Sequence, residues 1–223
     1  MKNYGFTLSE VLITLGIIGI VAAMTLSMIV GHYKKQVTAS KLKKTYSVLS
    51  QSYMRSVDEN GDFFQTVFKG STAGKDYYEQ YWKKYLKTVR ECSTNRRFYP
   101  DENLSPWFQP NGTREGTGAY CNPRTRWIAI LPDGVLLLFL IYTETITPEP
   151  TRMIFVDING IEKPNVLGKD VFVFTYDEKG IKPENPELSD REAESRCKTT
   201  GRTCSILIYR NGWEIPKDYP VKI

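Results

Sequence analysis

Residues 1–35 read MKNYGFTLSEVLITLGIIGIVAAMTLSMIVGHYKK and decide the architecture. From Val11 to Val30, no residue carries a charged side chain, and Ile, Leu, Val, Ala and Gly predominate. A helix of about 20 apolar residues spans the roughly 30 Å hydrocarbon core of a bilayer. A cleaved secretory signal is the alternative, but its apolar region is usually about 7–15 residues long. The longer segment here continues as a predicted helix, which favours a membrane-spanning helix.

The residues before this segment carry a second signal. Gly5-Phe6-Thr7-Leu8-Ser9-Glu10, followed directly by the apolar helix, resembles the class III signal of type IV pilins and type II secretion pseudopilins. The resemblance implies that a prepilin peptidase cuts between Gly5 and Phe6 and that the new terminal amine of Phe6 is methylated. The chain then divides into a cytoplasmic leader (1–5), a transmembrane helix and filament core (6–30), an amphipathic continuation (31–60) and an extracytoplasmic head (61–223).

The same resemblance implies location and partners. It predicts a single-pass protein of the bacterial inner membrane that an inner-membrane platform assembles, with other pilin or pseudopilin subunits, into a pilus or pseudopilus. Glu10 is then expected to face the amine of Phe6 in a neighbouring subunit. A wrong axial stagger would leave both charges unpaired in apolar surroundings, so the pair would set the register. The alternative is a monomeric anchor in which Glu10 is solvated among the lipid headgroups.

The distribution of charge around the apolar segment contradicts this orientation. Five lysines follow the segment, namely Lys34, Lys35, Lys41, Lys43 and Lys44. Only Lys2 and the amino terminus precede it, so the positive-inside rule places the head in the cytoplasm. The cysteines favour the opposite side, since disulfides persist in oxidising compartments. The family resemblance agrees with the cysteines, and we therefore predict a head outside the cytoplasm.

Beyond the apolar segment the helix is expected to continue to about Val57. Apolar residues recur at spacings of three and four, which predicts one buried stripe on a polar helix. The stripe consists of Leu42, Tyr46, Leu49, Tyr53 and Val57. Many pilins have a proline where this chain has Ser27, and serine keeps the backbone N–H that a helix needs. A second amphipathic helix is predicted over Asp76–Arg90, with one apolar face formed by Tyr77, Tyr81, Trp82, Tyr85 and Val89.

The second half of the chain predicts an antiparallel sheet. Asp133-Gly134 lies between two apolar runs and is a strong hairpin signal. The run Val135–Tyr142 suits a central strand covered on both faces. Further strands are predicted at Met153–Asp157, Val171–Tyr176 and Ser205–Arg210. The predicted fold class is α+β, a long N-terminal transmembrane helix continuing into a pilin-like globular head with an antiparallel sheet.

Four cysteines predict crosslinks in the head. Cys92 and Cys121 enclose much of an irregular, proline-rich segment and are expected to be bonded to each other, because that segment lacks apolar mass of its own. Cys197 and Cys204 predict a disulfide-closed hairpin. A zinc knuckle is the alternative, but neither pair has the C-x₂₋₄-C spacing of structural zinc sites.

One loop carries candidate metal ligands. Asp157, Asn159 and Asp170 are hard oxygen donors on a glycine-containing loop between two predicted strands. Some pseudopilins bind calcium in a loop near this part of the chain, so Ca²⁺ is the one candidate cofactor that the resemblance offers. The spacing does not fit the EF-hand template. A plain turn held by Asx side-chain hydrogen bonds is therefore expected, and the calcium site is the alternative.

Other functions find little support in the sequence. The one histidine, His32, leaves no partner for a His-dependent nucleophile, and the G-x-S-x-G, P-loop and Rossmann motifs are absent. No enzyme is therefore expected. The net charge of +5 is spread along the chain. Several arginines between residues 90 and 126 suggest a DNA-binding patch, but a solvated loop is the expected reading. A minor filament-associated adhesin or DNA-binding module anchored in the membrane is the alternative function.

Overall fold

The computed structural model describes residues 5, 7–61, 63, 66–93, 98–99, 106–141 and 152–223. The helices are α1 (Leu8–Asn60), α2 (Ala73–Tyr78, continued by a π-helical turn over Glu79–Lys83), α3 (Asp190–Thr200) and α4 (Cys204–Arg210). The strands are β1 (Arg90–Glu91), β2 (Arg126–Ile130), β3 (Leu136–Ile141), β4 (Arg152–Asp157), β5 (Val171–Asp177) and β6 (Gly180–Pro183). These strands form one antiparallel sheet in chain order. The predicted α+β class with its long N-terminal helix is confirmed.

Helix α1 is continuous over about 80 Å, at 1.5 Å per residue. It begins at a capping box, in which the Thr7 hydroxyl accepts the Glu10 N–H and the Glu10 carboxylate accepts the Thr7 N–H. The helical backbone passes through residue 27 without a break, as expected for serine in place of proline. It ends at Asn60, three residues beyond the predicted end, where the Gly61 N–H bonds to the carbonyl oxygen of Val57.

The second half of α1 lies against the sheet along the predicted stripe. Leu42 and Leu49 are completely buried, and Tyr53 is nearly so. Two tyrosine hydroxyls donate hydrogen bonds to the carbonyl oxygens of the β5–β6 hairpin: Tyr46 to Ile181 at 3.0 Å and Tyr53 to Asp177 at 2.6 Å. The head is therefore fixed to α1 by both apolar burial and directional bonds.

Strand β3 is the centre of the head, and all six of its residues are buried. On one face, the Phe139 ring lies 4.9 Å from the Trp82 ring of the π-helical turn. On the other face, Leu138 is paired with Phe155 of β4, whose ring stacks on Trp107 at 5.1 Å. Burial on both faces explains why the sequence here is apolar without alternation. Gly134 supplies the positive φ of 85° in the predicted β2–β3 turn.

The predicted extent of the second helix is wrong. The helical conformation ends at Lys83 rather than Arg90. The aromatic residues that predicted its buried face do lie in the core, namely Tyr77, Tyr81 and Trp82. Val89, assigned to the same face, is 67% exposed, and its N–H donates to the carbonyl oxygen of Ile130. Pairing with the edge of β2 replaces the helical hydrogen bonds in this segment.

The predicted strand Ser205–Arg210 is also wrong, because this segment is helix α4. Cys197 and Cys204 accordingly join α3 to α4 and do not close a hairpin. A short apolar run suits a strand or a buried helix equally well. Here α4 packs on the sheet, and the Ser205 hydroxyl donates to the carbonyl oxygen of Val173 at 2.7 Å.

The packing of α1 on the sheet can be tested with Leu49→Ala. Removing a completely buried leucine side chain should lower the free energy of unfolding by about 2–5 kcal/mol. Met54→Ala is the control, since Met54 lies on the same helix and is 63% exposed. Thermal or urea unfolding of the full chain in detergent micelles, followed by near-UV circular dichroism, measures both variants. Equal stability of the two variants would contradict the packing described here.

Candidate functional site

The N-terminal candidate residues lie at the start of α1. Gly5 is exposed, and no heavy atom outside its chain neighbours lies within 4 Å of a Cβ built at this position. Glu10 accepts hydrogen bonds from the Thr7 N–H at 2.8 Å and the Thr7 hydroxyl at 2.7 Å, both at Oε2. Within the described chain, Oε1 of Glu10 accepts no hydrogen bond. Phe6 lies outside the described residues. The cap therefore leaves one carboxylate oxygen of Glu10 available to another group.

The helix that follows this cap has no protein covering. Every described side chain from Leu8 to Val30 is exposed, including large apolar residues such as Leu12, Ile18 and Leu26 at 62–63% exposure. The described residues contain one helix, α1, that is long and apolar enough to cross a membrane. Contiguous apolar surface of this size is rare on soluble monomers and marks contact with a membrane or another protein.

All four cysteines are disulfide bonded, Cys92 to Cys121 and Cys197 to Cys204. The thiolates that a zinc knuckle needs are therefore not available. The first bond ties the chain beyond β1 to the segment that leads into β2. The second fixes the α3–α4 turn, which lies over β4 and β5.

The three candidate metal ligands lie in and beside the loop between β4 and β5. Asp157 is completely buried, and its Oδ2 accepts hydrogen bonds from the Tyr99 hydroxyl at 3.0 Å and the Trp107 indole N–H at 3.1 Å. Asp170 accepts the backbone N–H groups of Asn165 and Val166 and the side-chain amide of Asn159. These bonds hold the loop in the manner of an Asx-stabilised turn.

A close contact between two turns keeps this loop in place. Gly160 has a φ of 72°, and a Cβ at this position would lie 2.4 Å from the carbonyl oxygen of Gly134 in the β2–β3 turn. Glycine is therefore needed here for space as well as for backbone conformation.

Burial disfavours the ionised form of both carboxyl groups. It raises the pKa of Asp157 well above its usual range, and the nearby charge of Asp170 raises it further. Burial likewise raises the pKa of Asp170, although three hydrogen bonds to its carboxylate act in the opposite direction. The pair is thus arranged to favour a proton at Asp157.

The oxygens of this loop fit a calcium ion poorly in the described arrangement. Oδ1 of Asp157 and Oδ1 of Asn159 are buried without a hydrogen-bond partner, whereas the Asp170 oxygens are taken up by donors. Ca²⁺ takes six to eight oxygen ligands. Among the described residues, no group of three or more His, Cys, Asp or Glu side chains is placed to hold a metal. The calcium hypothesis stays a prediction, and the geometry favours the Asx turn.

The arginines near β1 and β2 pack against aromatic rings of their own segment. Arg90 lies 4.3 Å from the centre of the Phe98 ring, Arg114 5.1 Å from that of Phe108, and Arg126 4.5 Å from that of Tyr120. Arg96 and Arg97 lie outside the described residues. Arg126 is also largely buried. These contacts give the three arginines a structural role as cation–π partners.

No sequence pattern indicates one ionic cluster in the head, in which two buried glutamates surround a partly buried arginine. Arg202, in the α3–α4 turn, donates three hydrogen bonds to Glu184, at 2.7, 3.0 and 3.2 Å, and one to Glu115 at 3.3 Å. Its guanidinium lies 5.5 Å from the centre of the Phe155 ring. The cluster connects three segments far apart in the chain, so no local pattern could reveal it.

The bare apolar helix, its acidic cap and the disulfide-linked α+β head define a membrane-anchored protein of the pilin type. The prokaryotic N-terminal methylation motif matches residues 1–26. The resemblance to the signal of type IV pilins and pseudopilins is thereby confirmed, and the chain is a pilin-like precursor. Such a signal implies processing by prepilin peptidase and contact with other pilin subunits.

The remainder of the chain defines the particular family. Residues 28–223 match the family described as "Family of unknown function (DUF6613)", and the chain belongs to that family. No curated protein and no solved structure matches the chain.

The raised pKa of Asp157 predicts a specific pH dependence. The folded state holds a proton that the unfolded chain releases near pH 4, so the free energy of unfolding should fall as the pH rises above about 4. Asp157→Asn keeps an acceptor for Tyr99 and Trp107 without the charge, and it should flatten this decline. Urea unfolding between pH 4 and 8 measures the effect, with Asp58→Asn as the exposed control. Parallel pH profiles for wild type and Asp157→Asn would exclude a raised pKa.

The calcium hypothesis has a direct test. Thermal unfolding of the full chain in micelles, with about 10 mM CaCl₂ or with excess EDTA, compares loaded and free protein, since this concentration exceeds the dissociation constants of even weak calcium sites. Binding to the folded state raises the melting temperature. The described geometry predicts no shift, whereas a calcium-dependent shift that Asp170→Asn abolishes would establish the site.

Proposed function

We propose that this chain is a structural subunit of a type IV pilus or type II secretion pseudopilus. After cleavage behind Gly5 and methylation of Phe6, it polymerises through residues 6–30. The observation that supports this proposal most strongly is the bare apolar half of α1, whose side chains the head does not cover. In the bacterial inner membrane, lipid covers this surface. In a filament, the same surface is covered by the helices of neighbouring subunits.

Glu10 supplies the register of this assembly. Its Oε2 is used by the cap within its own chain, which leaves Oε1 for the methylated amine of a neighbouring Phe6. The bond to Thr7 also fixes the rotamer of the carboxylate, so less conformational entropy is lost when the second charge arrives. A charge removed from either partner leaves the other unpaired among apolar side chains.

The head has a structural role in this proposal and no catalytic one. Its buried carboxyl groups, such as Asp157 and Glu184, are hydrogen-bonded to side chains from other segments and hold loops together. Delivery to the filament by an inner-membrane assembly platform completes the pathway. The two disulfides support a head on the oxidising side of the membrane, because disulfides persist in oxidising compartments.

Processing is tested by mass spectrometry of the mature N-terminus in the native host. The wild type should begin at residue 6 and carry one added methyl group. Gly5→Leu should keep the leader, because the peptidase would no longer find glycine before the cleaved bond. Recovery of residues 1–5 on wild-type subunits in assembled filaments would contradict the proposal.

The role of Glu10 is separated from its capping role by three variants. Glu10→Gln keeps a capping box, which accepts Glu or Gln at this position, but it removes the charge. Glu10→Ala removes both, and Thr7→Ala removes only the hydroxyl bonds of the cap, since the backbone N–H of residue 7 can still bond to Oε2 of Glu10. Glu10→Gln and Glu10→Ala should be processed normally and should lower filament yield by about tenfold or more, whereas Thr7→Ala should be close to wild type. Normal filament yield with Glu10→Gln would exclude the charge pair.

A further inference from the structure

A groove of about 530 Å³ lies where the apolar half of α1 meets the head. One wall is α1, with Gly31, His32 and Lys35, and the other is the segment Tyr219–Ile223. The walls are held in place by polar contacts. The Lys35 ammonium donates to the carbonyl oxygen of Pro216 at 3.3 Å, and the buried Tyr219 hydroxyl donates to that of Gly168 at 2.6 Å. The groove is therefore an organised part of the fold.

The length of the apolar segment determines where this groove lies relative to the membrane. Residues 11–30 contain no charge and extend over about 30 Å as a helix, which equals the hydrocarbon thickness of a bilayer. Gly31 to Lys35 follow immediately. With this segment in a membrane, the groove opens at the level of the lipid headgroups, on the side where the head lies.

The charge of the groove is positive. Lys35 and Lys222 line it, and Lys34 is their neighbour in sequence. No Asp or Glu side chain is among the lining residues, and the terminal carboxylate of Ile223 is the one opposing charge among them. Lys222 is exposed and makes no ion pair or hydrogen bond with any other described part of the chain. Tyr33, in the same turn of α1 but on a different face from the groove, is 65% exposed and is of the type enriched at membrane interfaces.

We propose that this groove binds the phosphodiester group of an anionic phospholipid in the leaflet that faces the head. Lys35 and Lys222 contact the phosphate oxygens from the two walls, and the His32 ring offers a further N–H. The proposal rests on the membrane-inserted state in the proposed function. The positive-inside rule does not explain the lysines on the head side of the apolar segment. A bound anionic lipid in that leaflet would be their ligand. The bound lipid would hold the head against the membrane surface before assembly.

The test uses the full chain in phosphatidylcholine nanodiscs that contain increasing fractions of a photoactivatable phosphatidylglycerol. Peptide mapping should locate the crosslinked lipid at residues 31–35 and 219–223. Each lysine near an anionic surface raises the affinity for the lipid about fivefold. The double variant Lys35→Gln/Lys222→Gln should therefore weaken lipid capture about thirtyfold. The matched control is Lys179→Gln with Lys198→Gln, two exposed lysines outside the groove, which should leave capture unchanged.

Each other result has a defined meaning. Equal capture by both double variants, or equal capture of a photoactivatable phosphatidylcholine, would overturn the proposal. Displacement of the lipid by millimolar inorganic phosphate would overturn the lipid as the source of the anion. Crosslinks from the groove to a second copy of the chain, in place of lipid, would also overturn it.

Two further measurements keep the test decisive. Because Lys35 also bonds to Pro216, Lys222→Gln alone serves as the variant that leaves the walls intact, with an expected loss of about fivefold. Failure of the chain to enter phosphatidylcholine nanodiscs would contradict the membrane-inserted state of the proposed function. Normal insertion without preference for phosphatidylglycerol would contradict the headgroup site alone.

Discussion

The structure depends on the packing of the second half of α1 against the sheet. Leu42, Leu49 and Tyr53 are buried there, and the hydroxyls of Tyr46 and Tyr53 bond to the β5–β6 hairpin. Because α1 is one continuous helix, this packing also sets the direction in which the apolar half leaves the head. The orientation of the head and that of the membrane-spanning segment are therefore coupled through one continuous helix.

The two halves of α1 obtain their apolar covering in different ways. The half within the head is covered by its own chain, whereas the half before Gly31 has no covering partner in the described structure. The hydrophobic effect that stabilises the head is thus also the force that drives the free half into lipid or into a bundle of like helices. A polar residue on that half, such as Glu10, is tolerated where its bonds are satisfied, and the capping box satisfies part of them.

Buried polar groups hold together the irregular parts of the head. Asp157 accepts bonds from Tyr99 and Trp107, and Arg202 connects Glu184 with Glu115. Both centres lie beside Phe155, whose ring is stacked on Trp107 and faces the Arg202 guanidinium. Segments with few strands of their own are stabilised here by specific bonds, since breaking one partner of a buried polar pair is costly.

The sequence by itself determined the features that depend on local pattern. The run from Val11 to Val30, the stripe on α1 and the Asp133-Gly134 hairpin each follow from a helical period, a length or a turn preference, and the structure contains all three. A capping box at Ser189 and Glu192 marks the start of α3, as the one at Thr7 marks the start of α1, so this helix also has a local sequence signal.

Tertiary structure decided what local pattern leaves open. The apolar run after Cys204 became a helix because it packs on β5, and the segment before Arg90 left the helical conformation because it pairs with β2. The partners of Asp157 and Arg202 come from distant segments, so their burial and their hydrogen bonds could not be read from neighbouring residues. A short segment has similar energy in several conformations, and long-range contacts select one of them.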